Sequence, residues 1–183
     1  SLFATHPLAV ATWQQRSYPM TTRNPMKHKI GIMGVGMVGG AVRRYFESDG
    51  HLPLVYDPGK DEGSLAAVNE ADIIFICVPT PFDPEVGGFD LKYVRQALGD
   101  IQGEKIIVLK STIVPGTTEK LQDEFPHHKI VYNPEFLTEQ TSDQDMRFPD
   151  RQIVGYTEKS FTIAGDVMQI LPLAPYQRIV PAT

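Results

Sequence analysis

The chain has 183 residues, 42% of them hydrophobic, with a net charge of -5 and a single cysteine. That length suits one domain with a buried core and no second domain of full size. Scattered basic residues on an acidic background exclude broad nucleic-acid or anionic-membrane binding, and no apolar run approaches the ~20 residues that a membrane-spanning helix needs. One thiol cannot form an internal disulfide, which points to a reducing, cytoplasmic setting.

Residues 1–25 contain no Asp or Glu and no periodic pattern, and they are set aside as an irregular or non-native extension. A targeting peptide is the other reading of this segment. The domain proper runs over residues 26–183, where short β-rich runs alternate with helical stretches. Strands are expected at Lys29–Met33, Leu54–Tyr56, Ile73–Val78, Lys105–Leu109, Lys129–Tyr132 and Gln152–Gly155. Between them, Val38, Val42, Tyr45 and Phe46 form one helical stripe, and a short helix fits over Ser64 to Asn69. Leu91, Val94, Leu98 and Ile101 form another stripe behind an Asp90 cap, and Ala164, Val167, Met168 and Leu171 a third. The alternation predicts an α/β fold, a Rossmann-like, doubly wound, mainly parallel sheet with helices on both faces.

The first strand runs into Gly34-Val-Gly36-Met-Val-Gly39. Gly34 permits the tight turn, Gly36 lets backbone approach a pyrophosphate, and Gly39 allows close helix packing; Met37 and Val38 open the helix whose N–H groups would face the phosphates. Asp57 follows at the end of the second strand, where a carboxylate accepts from an adenosine ribose and repels the 2′-phosphate of NADP. NAD is therefore the expected cofactor, with nearby Lys60 softening the preference. The bland alternative is a plain strand-helix turn with a solvated Asp57.

Three further strings follow strands: Val78-Pro-Thr-Pro81, Lys110-Ser-Thr-Ile-Val-Pro115 and Asn133-Pro-Glu-Phe-Leu-Thr-Glu139. Pro79 and Pro81 stiffen the first and remove donors. Ser111 and Thr112 sit at a buried strand's end, where either hydroxyl would also serve as cap for a helix starting near Gly116. Asn133 and Pro134 predict an N-cap and first helical residue, with Glu135 and Glu139 on one face. Two carboxylates held close can raise one pKa and supply a base, although first-turn acids are ordinarily dipole-favourable surface. Cys77 lies in the run Ile73–Val78, where burial would raise its pKa and make it a poor nucleophile. The histidines, including adjacent His127 and His128, lack ligand spacing, so no metal site is expected and surface turns are their expected place.

With the lesser strings Gly87–Leu91 and Phe148–Arg151, these motifs over about residues 28–180 resemble the N-terminal NAD-binding domain of the UDP-glucose/GDP-mannose dehydrogenase family. The resemblance implies an oxidoreductase that turns the primary alcohol of a UDP- or GDP-sugar into a carboxylate through two hydride transfers to NAD, with a possible homo-oligomer. It implies cofactor contacts at Val78, Pro79, Thr80, Pro81, Ser111, Thr112 and Glu139. It also implies that Thr112 and Glu135 place a catalytic water or lysine, and that Glu139 lies near nicotinamide and substrate. The family's nucleophilic cysteine, and the central helix supplying a lysine and an asparagine, have no counterpart here, so the chain alone is expected to be incomplete for catalysis. The stretch Pro58 to Glu70 is also shorter than the family's, and Glu62 lies near the place of an arginine that often contacts cofactor. The alternatives are a stand-alone dinucleotide-binding or regulatory module, and a neighbouring β-hydroxyacid dehydrogenase, which leaves the Asn-Pro-Glu-Phe string unexplained.

Overall fold

The computed structural model describes residues 28–85 and 87–183; the extension expected over residues 1–25, and its targeting alternative, lie outside the described residues. Branched and aromatic runs too apolar to face water on either side become central strands. The strands are β1 (Ile30–Met33), β2 (Leu54–Asp57), β3 (Glu62–Gly63), β4 (Ile73–Ile76), β5 (Phe82–Asp83), β6 (Gly88–Phe89), β7 (Ile106–Leu109), β8 (Lys129–Tyr132), β9 (Arg151–Tyr156) and β10 (Tyr176–Pro181). The helices are α1 (Met37–Ser48), α2 (Leu65–Val68), α3 (Lys92–Asp100), α4 (Thr117–Glu124), α5 (Ser142–Arg147) and α6 (Ala164–Ile170). The main sheet has the order β10-β9-β8-β7-β4-β1-β2-β3, while β5 and β6 form a separate hairpin.

Neighbours β2-β1-β4-β7-β8 are all parallel, with Met33 opposite Tyr56 and Ile76, and Leu109 opposite Tyr132. Side chains of β4 alternate, so Ile73 and Phe75 join Val42, Phe46, Met146, Ala164 and Val167 on one face. Ile74 and Ile76 join Val68, Val94, Leu98 and Leu121 on the other. Helices α1, α5 and α6 therefore cover one side and α2, α3 and α4 the opposite side. The chain leaves β1 for β2 over the first face and leaves β4 for β7 over the second. The loops after β1 and β4 consequently part, and open α/β sheets bind ligands in the crevice at such a reversal.

The expected core strands agree with the sheet to within one or two residues, and Ser64 caps α2 by accepting from Ala67 N–H at 3.1 Å. Helix α3 begins at Lys92 rather than directly after Asp90, although the Asp90 carboxylate still accepts from Lys92 N–H at 2.9 Å. Strand β9 runs antiparallel to β8, and β10 lies parallel to β9 as an outer strand absent from the sequence reading. Two expectations fail. Residues 133–138 form no helical turn, and His128 is fully buried rather than in a surface turn.

Candidate functional site

The glycine loop is set by two close approaches. Gly34 has φ +84°, and a Cβ there would meet the Cys77 carbonyl oxygen at 2.9 Å; a Cβ on Gly39 would meet the Gly34 oxygen at 1.8 Å. Helix α1 thus abuts the loop it springs from, and its first turn presents free N–H groups at the crevice. Gly36 differs: it is exposed, with nothing within 4 Å of an added Cβ. The backbone is bare toward open space, as required where a pyrophosphate lies against it.

Asp57, the last residue of β2, accepts from Val35 N–H through Oδ2 at 2.7 Å and from Gly59 N–H through Oδ1 at 3.0 Å. Its carboxylate is held at the loop, with lone pairs left on each oxygen. Lys60 donates from Nζ to the Val35 carbonyl at 2.5 Å, so cation and carboxylate flank one residue of the loop. A cleft of about 660 Å³ extends from Gly34 and Gly36 past Asp57–Lys60 to Val78, Pro79, Tyr93 and Gln96. Its size and mixed lining suit a dinucleotide half. The glycines and Asp57 therefore fit NAD.

The Val78–Pro81 loop forms the other wall. Ser111 donates from Oγ to the Val78 carbonyl at 2.6 Å, and Thr80 donates from Oγ1 to the Thr112 carbonyl at 2.7 Å, tying the ends of β4 and β7 together. Neither Ser111 nor Thr112 caps α4, whose N-cap is Gly116 with φ +80°. Thr112 is exposed at the carboxyl edge. Met37 is also exposed, and Val38 partly so.

The Asn133 string departs from expectation for a physical reason. Asn133 is fully buried and spends its amide on tertiary partners: Oδ1 accepts from Lys110 Nζ at 2.8 Å, and Nδ2 donates to Gln152 Oε1 and the Ile153 carbonyl. A side chain so engaged cannot cap a helix, and the backbone stays irregular. Glu135 and Glu139 therefore do not share a helical face. Glu135 folds back so that Oε1 accepts from Phe136 and Leu137 N–H, while Oε2 lies 3.4 Å from Lys110 Nζ. Glu139 is exposed in a turn.

Lys110, only 4% exposed, is the residue that sequence reasoning missed as a site member. Its place follows from the register of the folded sheet: Leu109 pairs with Tyr132, and the next residues, Lys110 and Asn133, meet each other. Cys77 lies just beyond β4, partly exposed at the cleft floor beneath the glycine loop. Burial of the sulfur pushes its thiol up to about 12, with Lys110 opposing the shift and Glu135 adding to it. Such a thiol is not the nucleophile. No group of three or more metal-ligating side chains occurs among the described residues.

Comparison with known proteins agrees with this geometry. Residues 60–170 match the model of the UDP-glucose/GDP-mannose dehydrogenase family, NAD binding domain. A UDP-glucose 6-dehydrogenase of Rhizobium meliloti is 34% identical over 69% of this chain and 39% of its own length. One of Rickettsia prowazekii is 38% identical over 48% of this chain and 22% of its own. The structure of a UDP-glucose dehydrogenase from Pyrobaculum islandicum superposes with a TM-score of 0.70 at 25% identity, covering 90% of this chain and 48% of that one. The chain thus spans less than half the length of these relatives. With a Rossmann-like sheet, a glycine loop at its reversal point and a family match over most of the domain, the chain belongs to the UDP-glucose/GDP-mannose dehydrogenase family and carries its NAD-binding domain.

Proposed function

We propose that this chain is the cofactor half of a nucleotide-sugar 6-dehydrogenase, an enzyme that oxidises the primary alcohol of a UDP- or GDP-sugar to the carboxylate. The observation that carries the reading is that the Gly34–Gly39 loop, Asp57 and the Lys110–Glu135 pair all lie at the carboxyl ends of strands in one parallel sheet, with the Val78–Pro81 loop between the first and the last. NAD supplies the hydride acceptor when bound. Gly34, Gly36, Met37, Val38 and Gly39 hold its pyrophosphate, Asp57 its ribose, and Val78, Pro79, Thr80, Pro81 and Ser111 form the wall along it. Thr112 and Glu135 order water beside the reacting carbon, and Glu139 borders nicotinamide and sugar. Lys110 holds Glu135 in place through the 3.4 Å contact of its Nζ with Oε2.

The thiol for thiohemiacetal formation comes from elsewhere, because Cys77 is held protonated at the cleft floor. Calorimetric titration tests the cofactor half. The 183-residue chain is expected to bind NAD yet to form no NADH from UDP-glucose or GDP-mannose. Absence of NAD binding sinks the reading, and steady NADH formation sinks the division of the site.

A further inference from the structure

A second cleft adjoins the first. It has a volume of about 510 Å³, shares Gly36 and Lys60 with the cofactor cleft, and is lined further by Met37, Arg43, Arg44 and Glu62. Lys60, which lines both clefts, donates to the carbonyl of Val35, the residue whose N–H the Asp57 carboxylate accepts. A phosphate carried by a ribose on Asp57 would have Lys60 beside it, because Lys60 lines both clefts.

Its cations differ in availability. Arg44 is spent on Asp143, with Nε 2.8 Å from both carboxylate oxygens. Arg43 is shared between Glu47, at 2.7 Å from Nε, and Glu62, which contacts Nη1. Lys60 is exposed and donates to the Val35 carbonyl. Glu62, on β3, is thus not an uncompensated charge; it occupies Arg43 of α1. Strand β3 pairs antiparallel with β2, with Glu62 opposite Asp57 and in contact with Arg43.

We infer that Lys60, Arg43 and Glu62 determine dinucleotide choice: Lys60 is a cation for the adenosine ribose edge, and Glu62 prevents Arg43 from joining it as a binding site for a 2′-phosphate. The inference rests on the NAD-binding reading and adds to it the residues that set selectivity. Two cations facing one phosphate make short, strong hydrogen bonds, whereas one cation beside the Asp57 carboxylate is largely offset. Selectivity for NAD is then a property of a neutralised arginine as much as of Asp57.

The test is calorimetric titration of NAD and NADP into the whole chain and into K60Q, E62Q and the double variant R43Q/E62Q, with circular dichroism on each. All three positions are at least partly exposed and the replacements are close in size, so the fold is expected to survive. E62Q should raise the NADP-to-NAD affinity ratio about tenfold, the worth of one charge-assisted hydrogen bond. R43Q/E62Q should return the ratio to the wild-type value or below, and K60Q should lower it. Ratios within about twofold of wild type in E62Q and K60Q, below the effect of one such bond, overturn the inference while leaving NAD binding intact. A wild-type chain that binds neither dinucleotide overturns both this inference and the cofactor reading.

Discussion

Gly36 and Gly39 belong to one loop, yet the structure assigns them different consequences. In G36A the new methyl enters open space, since nothing lies within 4 Å of its position and φ at -74° suits any residue. The free protein should therefore keep its stability to within ~0.5 kcal/mol, as for an unstrained surface change. The same methyl occupies the approach path of the pyrophosphate. Losing one charge-assisted backbone hydrogen bond costs about 1.5–3 kcal/mol, a weakening of NAD binding by about tenfold to a hundredfold. In G39A the methyl falls 1.8 Å from the Gly34 oxygen, and both loop and helix must shift. Overpacking of this kind costs about 1–3 kcal/mol before ligand is added. Paired thermal melts and NAD titrations separate the cases: G36A should lose affinity alone, and G39A both affinity and stability. Wild-type NAD affinity in G36A would refute the placement of the pyrophosphate.

Lys110→Met should destabilise the chain by about 3–5 kcal/mol in urea unfolding, because it strands the buried Glu135 carboxylate, and K110M/E135M should recover much of the loss; a loss below about 1 kcal/mol for K110M would mean that the pair is solvated. His128 is buried against the Leu98 carbonyl, and burial, aided by neighbouring His127, pushes its imidazole down to about 4. Between pH 6.5 and 4 the unfolded chain binds the extra proton, so stability must fall with pH across that window by up to about 3 kcal/mol, and H128Q should flatten the slope. Coincident slopes for wild type and H128Q in a pH series of urea melts would contradict this. Cys77 should react with iodoacetamide at pH 8 about a thousandfold more slowly than an ordinary thiol, and at the ordinary rate in denaturant. Rapid alkylation of the folded chain would show that the sulfur is not desolvated.

How far these features were legible in the sequence depended on the range of the interaction behind them. Strands β1, β4, β7 and β8 are runs of branched residues whose burial on both faces leaves no alternative, and the glycine loop follows from local sterics. The mistaken helical turn at Asn133 rested on capping preference, which lost to a buried contact from Lys110 on the neighbouring strand. Lys110 itself follows Ile106–Leu109 without any local sign that its ammonium points inward. The burial of His128 likewise depends on Leu98, which lies 30 residues away in sequence. Strand β10 follows Pro175, ends on Pro181 and is exposed along most of its length, so its pairing with β9 comes from the edge that β9 offers rather than from its own pattern.

The reversed direction of β9 has a practical consequence for handling the molecule. Because β10 runs parallel to β9, and hence against the central strands, Thr183 emerges toward the amino rim of the sheet, away from the Gly34–Gly36 loop at the carboxyl rim. An affinity tag or surface tether attached after Thr183 would leave the dinucleotide crevice facing the bulk solution. Immobilised measurements of NAD and NADP binding should therefore reproduce those made free in solution.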